Sequence, residues 1–164
     1  MLYKIIVFLH VISVLGFLLA HGVSASIAYA LKRERDMAKI RAMLDLSAAS
    51  YPVMLWTLLA TVVFGLIAAF LVNTWWRFGW IWVSIALLVV IVVLMAIHGA
   101  GVFGEIRKAA GLPYMVKGKP MPAESAKSDG EIYAALAKVN PNLLLIVGYG
   151  GYAIIAWLMT AKPF

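Results

Sequence analysis

The chain has 164 residues, of which 65% are hydrophobic and 13% are charged, and its mean hydropathy is +0.97. Soluble domains are nearer half apolar, so this composition indicates an integral membrane protein. The net charge of +7 does not indicate nucleic-acid binding, because the basic residues flank apolar runs. The lack of cysteine excludes disulfides, thiolate catalysis and Cys-ligated zinc or iron–sulfur sites.

Four apolar segments are long enough to cross a bilayer, which takes about 20 residues. They cover approximately residues 3–31, 52–73, 78–103 and 141–160. The pattern predicts an all-α fold, an integral membrane four-helix bundle that forms a single transmembrane domain over the whole chain. Asn140 followed by Pro141 predicts the start of the fourth helix, because Asn is a good N-cap and Pro suits the first helical position.

The segments between the spans carry further predictions. Asp36 can cap a short helix that runs to Leu44, with apolar residues on one face, and we expect this helix to lie along the cytoplasmic headgroups. Residues 105–140 are predicted to form a flexible cytoplasmic loop, because residues 118–130 are rich in Pro, Ser, Gly and charged residues. Within this segment, residues 131–138 favour a short helix.

The distribution of basic residues predicts the orientation. Eleven of the 14 lysines and arginines lie in the first and third connecting segments, and only Lys4, Arg77 and Lys162 lie on the other side. By the positive-inside rule, these two segments face the cytoplasm and both termini lie outside it. The sequence therefore predicts a multi-pass protein of the cell inner (plasma) membrane, in contact with the lipid bilayer.

Three histidines lie at membrane depth: His10, His21 and His98. Ionisable groups at this depth are costly and mark functional sites by default, and imidazole is the commonest protein ligand for transition metals. His10 and His21 are eleven residues apart, so they share one face of the first helix. About 16 Å of helix separates them, which places His10 in the outer half and His21 in the inner half.

His21 and His98 are expected at similar depth near the cytoplasmic side. Two histidines facing each other across a bundle can supply both axial ligands of haem iron, and nearby glycines leave room for a macrocycle. These glycines are Gly22, Gly99, Gly101 and Gly104. The pair therefore predicts a haem b site, although the same residues also fit plain helix packing with histidines bonded to neighbouring helices.

His10 has no histidine partner at its depth. Its candidate neighbours are Tyr149 and Tyr152 on the fourth span, and these residues could form either a hydrogen bond or a quinone or porphyrin site. Met95 lies three residues before His98 on the same helix. A thioether together with an imidazole suits copper, so copper transport or handling is a further alternative. The spans hold no carboxylate, which argues against a proton-coupled transporter.

The segment Phe8–Phe17, which begins Phe-Leu-His, resembles the opening helix of the CopD-like group of small four-helix membrane proteins. This group includes the copper-resistance CopD domain and the HemJ-type protoporphyrinogen oxidases. The resemblance implies that His10 contacts haem or a metal. The chain departs from the group's pattern at Phe17, where Trp is usual, at Leu18 and Leu19 in place of Gly-Gly, and at the additional His21.

The leading functional prediction is a b-type haem-binding membrane protein that transfers electrons or anchors a redox system. A cofactor-free assembly subunit of a membrane complex is the alternative, and a CopD-like copper protein is the second alternative. The candidate partners are a quinone, a redox protein, and other subunits or copies of the chain, with no nucleic acid. The sequence identifies no catalytic residue and leaves open whether the protein is an enzyme.

Overall fold

A computed structural model describes residues 1–116 and 118–164. Within them, four helical stretches are long and apolar enough to cross a membrane: α1 (Leu2–Leu31), α2 (Met37–Leu71), the third span (Gly79–Ala109) and the fourth span (Pro141–Ala161). The predicted four-helix membrane bundle is therefore confirmed.

The chain termini meet the connection between α2 and the third span at one end of the bundle, called here the terminal end. Tyr3 packs edge-on against Trp75 with 5.7 Å between ring centroids, and the Trp80 amide donates to the Phe164 carbonyl at 3.3 Å. The opposite end, called the loop end, carries the first and third connections.

The helix α2 begins where the sequence predicts and continues further than expected. The Asp36 side chain accepts hydrogen bonds from the amides of Ala38 and Lys39 at 2.8 and 3.3 Å. The prediction of a separate helix ending at Leu44 is wrong, because α2 continues from Met37 without a break into the second span. The intervening residues contain no helix breaker, and Pro52 is tolerated inside a membrane helix.

The third and fourth spans each contain a π-helical turn. After α2 the elements are a 3-10 turn (Asn73–Arg77), α3 (Gly79–Met95), a π-helical turn (Ala96–Gly101), α4 (Val102–Ala109), β1 (Tyr114–Val116), β2 (Lys119–Met121), α5 (Asp129–Ala137), α6 (Pro141–Leu145), a second π-helical turn (Ile146–Gly150) and α7 (Gly151–Ala161). The predicted Asn140 cap is present, accepting from the Leu143 amide at 3.0 Å. Single π-helical turns inside α-helices occur frequently at functional sites.

The segment predicted as a flexible loop contains regular structure. The helix of the third span extends to Ala109, and β1 and β2 form an antiparallel hairpin. The short helix expected over residues 131–138 is present as α5. It begins with a reciprocal capping box between Ser128 and Glu131.

The most completely buried side chains of the described residues lie at the loop end. Leu31, Ile40, Leu44 and Ile106 have no exposed surface, and they pack in one cluster with Ile132 of α5. The cluster joins all four spans to α5. Hydrophobic burial therefore makes the loop end a folded unit continuous with the bundle.

Arg107 connects three parts of this loop end. Its guanidinium donates to the Leu44 carbonyl at 2.8 Å and to the Pro113 carbonyl at 2.6 Å, and it pairs with Asp45 at 3.0 Å. The planar fork of Arg suits several acceptors at once. This single side chain fixes α4 against α2 and against the start of the hairpin.

Candidate ligand site between the first and fourth spans

His21 is the most buried of the three histidines. Its side chain is 2% exposed, and its ring stacks on Phe17 at 5.9 Å and lies 5.4 Å from the Tyr149 ring. Among the described residues, its Nε2 atom has no hydrogen-bond partner. A buried polar atom without a partner is costly, so it needs a structural or functional explanation.

The fourth span approaches this ring with its backbone. A Cβ atom at Gly148 would overlap Nε2 of His21, so no residue larger than glycine fits there without movement. Gly148 lies in the second π-helical turn. His21 is therefore enclosed by the fourth span, and not by the third span as the sequence predicted.

Tyr149 separates His21 from an open groove. Its hydroxyl donates to the Leu18 carbonyl at 3.1 Å and lies 2.6 Å from the position that a Cβ at Gly22 would take. The groove has a volume of about 500 Å³ and runs between α1 and the fourth span. We call it the lateral groove, because exposed leucines such as Leu15 and Leu19 leave it open at the bundle surface.

The loop-end part of the lateral groove carries polar groups. Ser26 and Tyr29 line it, and the Tyr29 hydroxyl donates to Oδ1 of Asn142 at 2.5 Å. The rest of the wall is apolar. The groove thus has the make-up of a small-molecule site, mostly apolar with a few placed polar groups.

Tyr152 continues the aromatic contacts beyond Phe17. It is 5% exposed and stacks on Phe17 at 4.7 Å, and its hydroxyl has no partner among the described residues. The structure therefore brings together three predicted site residues: His21 and Tyr152 stack on Phe17, and Tyr149 contacts His21. Sequence reasoning did not assign Phe17 to the site, although its place four residues before His21 on the same helix face was a usable signal.

His98 does not join this group. It lies in the first π-helical turn with an exposed side chain, and no hydrogen bond or ring contact links it to His21 within the described part of the chain. Met95, the other candidate copper ligand, packs among core side chains. The described residues hold no cluster of three potential metal ligands, and the axial pairing of His21 with His98 stays a prediction.

His10 faces α2 and not the fourth span. Its Nδ1 lies 2.8 Å from the Thr61 carbonyl, and its ring lies about 3 Å from the position of a Cβ at Gly65. A carbonyl only accepts, so Nδ1 carries the proton and Nε2 keeps a free lone pair. The predicted contact of His10 with Tyr149 or Tyr152 is not seen among the described residues.

Known proteins give no indication of function through similarity, so a functional conclusion depends on the geometry of the chain itself. No protein-family model, no curated protein and no solved structure matches this chain. What is established is a multi-pass helical membrane protein with a lateral groove near a buried histidine, whose Nε2 atom has no partner among the described residues.

Proposed function

We propose that this chain binds an isoprenoid quinone in the lateral groove, as a component of a membrane electron-transfer system. The observation that supports this proposal is the Tyr149 hydroxyl, a hydrogen-bond donor on the wall of an open apolar groove and beside the buried His21 ring. A quinone has a flat ring whose carbonyl oxygens accept hydrogen bonds, and an apolar tail that stays in the bilayer. The ring oxygens can accept a hydrogen bond from the Tyr149 hydroxyl, and the tail can lie along the apolar wall of the groove.

One side chain would bind the ring directly, and a second would position it. The Tyr149 hydroxyl donates to the Leu18 carbonyl in this structure and can donate to a quinone oxygen instead. Behind it, the His21 ring lies 5.4 Å from the Tyr149 ring, with Nε2 against Gly148, so His21 would position Tyr149 and would not contact the quinone itself. Gly22 allows the Tyr149 hydroxyl to lie close to the α1 backbone, and the leucine wall suits the tail.

Filling the lateral groove tests the proposal directly. Leu19→Trp places a large side chain in this groove, and Val90→Trp is the matched control, because Val90 lines a separate apolar groove between the third and fourth spans. We expect quinone to co-purify with the parent chain and with Val90→Trp, and to be depleted in Leu19→Trp. Equal quinone content in both variants, measured by extraction and chromatography, would contradict the proposal.

The polar contacts require a separate measurement. Tyr149→Phe removes a donor at the groove wall, whereas Tyr152→Phe removes a hydroxyl that does not line it. A hydrogen bond is worth about 1 kcal/mol net, so Tyr149→Phe should raise the Kd of a short-chain benzoquinone about fivefold. Tyr152→Phe should leave this Kd unchanged; a Kd that rises equally in both would rule out the assigned pose.

A second candidate function, haem binding through His10, is supported by one observation. The Nδ1–H of His10 donates to a backbone carbonyl and leaves Nε2 free, which is the usual arrangement of a metal-bound histidine. A Soret band that His10→Ala abolishes and His98→Ala preserves would support this candidate. A colourless protein without quinone would instead favour a cofactor-free subunit of a membrane complex.

A further inference from the structure

The β-hairpin at the loop end is folded back towards the membrane-spanning part of the third span. The chain leaves α4 after Ala109 and reverses near Gly111, whose φ is +73°, an angle that favours glycine. The Met115 carbonyl then lies 3.3 Å from the position of a Cβ at Gly104. Gly104 precedes the helix end by five residues, so the hairpin lies about 7 Å back along the helix axis.

The hairpin is held by its buried side. The Tyr114 side chain donates to a Glu124 carboxylate oxygen, and Lys108 pairs with the same carboxylate at 3.1 Å. The Lys108 ammonium also lies 5.3 Å from the centre of the Tyr114 ring. The position beside α4 is therefore fixed by contacts within the chain.

The other side chains of β1 and β2 are exposed, and all of them except Lys119 are apolar. The exposed fractions are 46% for Met115, 45% for Val116 and 39% for Met121. Lys119 is exposed beside them and makes no hydrogen bond or ion pair within the described residues. Apolar side chains next to lysine, level with the end of a membrane span, are typical of elements that lie in the headgroup region.

We propose that this hairpin binds the lipid surface at the loop end of the bundle. The strand register places Val116, Lys119 and Met121 on one face and Met115 on the other. The hairpin therefore enters the boundary between headgroups and acyl chains edge-on, with apolar side chains on both faces and Lys119 at the anionic headgroups. The charge balance supports this partner, because the chain has 14 basic and 7 acidic residues and 11 of the basic ones lie in the two loop-end connections. Such a surface attracts anionic lipids.

The cysteine-free sequence allows a clean test. Met115→Cys carries an environment-sensitive fluorophore, and Ser125→Cys is the matched control on the exposed segment after the hairpin. Each labelled chain is placed in nanodiscs of phosphatidylcholine, with or without phosphatidylglycerol, at one chain per disc. We expect blue-shifted emission and protection from aqueous iodide at Met115→Cys only, with greater protection when phosphatidylglycerol is present.

Three results would overturn the proposal. The first is equal quenching of the two labels. The second is equal protection with and without the anionic lipid, which would remove the role of Lys119. The third is protection in crowded vesicles that disappears in single-chain discs, which would indicate that another protein copy covers the hairpin. Met121→Cys provides a second reading if Met115→Cys does not fold.

Discussion

The imidazole of His21 and the backbone of Gly148 are in direct contact, and Nε2 occupies the space that any side chain at position 148 would need. This contact determines how closely the fourth span approaches α1. It also explains why position 148, in the second π-helical turn, is a glycine. The relationship can be tested without knowing the ligand.

Gly148→Ala should destabilise the bundle. The added methyl group would overlap the His21 ring, and overpacking in a closely packed interior costs about 1–3 kcal/mol. Gly150→Ala is the matched control in the same turn, because a Cβ there has no atom within 4 Å. Thermal unfolding in detergent should show a lowered Tm for Gly148→Ala and a Tm within error of the parent, or slightly higher, for Gly150→Ala.

The double variant His21→Ala with Gly148→Ala separates steric overlap from a general effect on the fourth helix. Removing the ring removes the overlap, so the two substitutions together should cost less than the sum of their separate effects. Strictly additive losses in the free energy of unfolding would show that the contact is not the cause.

At the loop end, Arg107→Lys should destabilise the protein more than Asp45→Asn does. A lysine cannot donate to the Leu44 and Pro113 carbonyls together, and hydrogen bonds from charged groups are worth about 2 kcal/mol each. The Asp45 carboxylate is 59% exposed, so its ion pair contributes no more than about 1 kcal/mol. Unfolding of both variants by denaturant gives the comparison, and the opposite order would contradict this assignment.

The attachment of the hairpin should depend on pH through Glu124. The Tyr114 hydroxyl and the Lys108 ammonium hold the pKa of this carboxyl below its usual value. A group whose folded pKa is lowered stabilises the fold above its unfolded pKa, about 4.3, and loses that contribution as pH falls through the folded pKa. Hydrogen exchange of the hairpin amides should therefore accelerate in acid for the parent chain, relative to its intrinsic rate, and show no such step in Glu124→Gln.

The orientation predicted from the basic residues can be measured with single cysteines. If the loop end faces the cytoplasm, Lys119→Cys should resist a membrane-impermeant maleimide in intact cells and react after the cells are opened. Lys162→Cys, at the terminal end, should react in both cases. The reverse pattern would invert the topology derived from the positive-inside rule.

Sequence alone predicted the elements that depend on length and local capping. Four apolar runs and the caps at Asp36 and Asn140 are signals contained within short segments, and all are present. The residues that surround the histidines were harder to predict. The depth of a residue along its own helix does not specify which neighbouring helix its side chain faces. The π-helical turn around His98 also breaks the 100° spacing on which the face assignment depends.

The buried cluster at the loop end has a consequence for biogenesis. Its members come from α1, α2, the third span, α5 and the start of the fourth span, including Leu31, Ile40, Ile106, Ile132 and Leu144. No pair of successive helices contains enough of it to form it alone. The cluster is therefore complete only when the last helix is in place, and a partly inserted chain would leave these apolar side chains uncovered at the loop end.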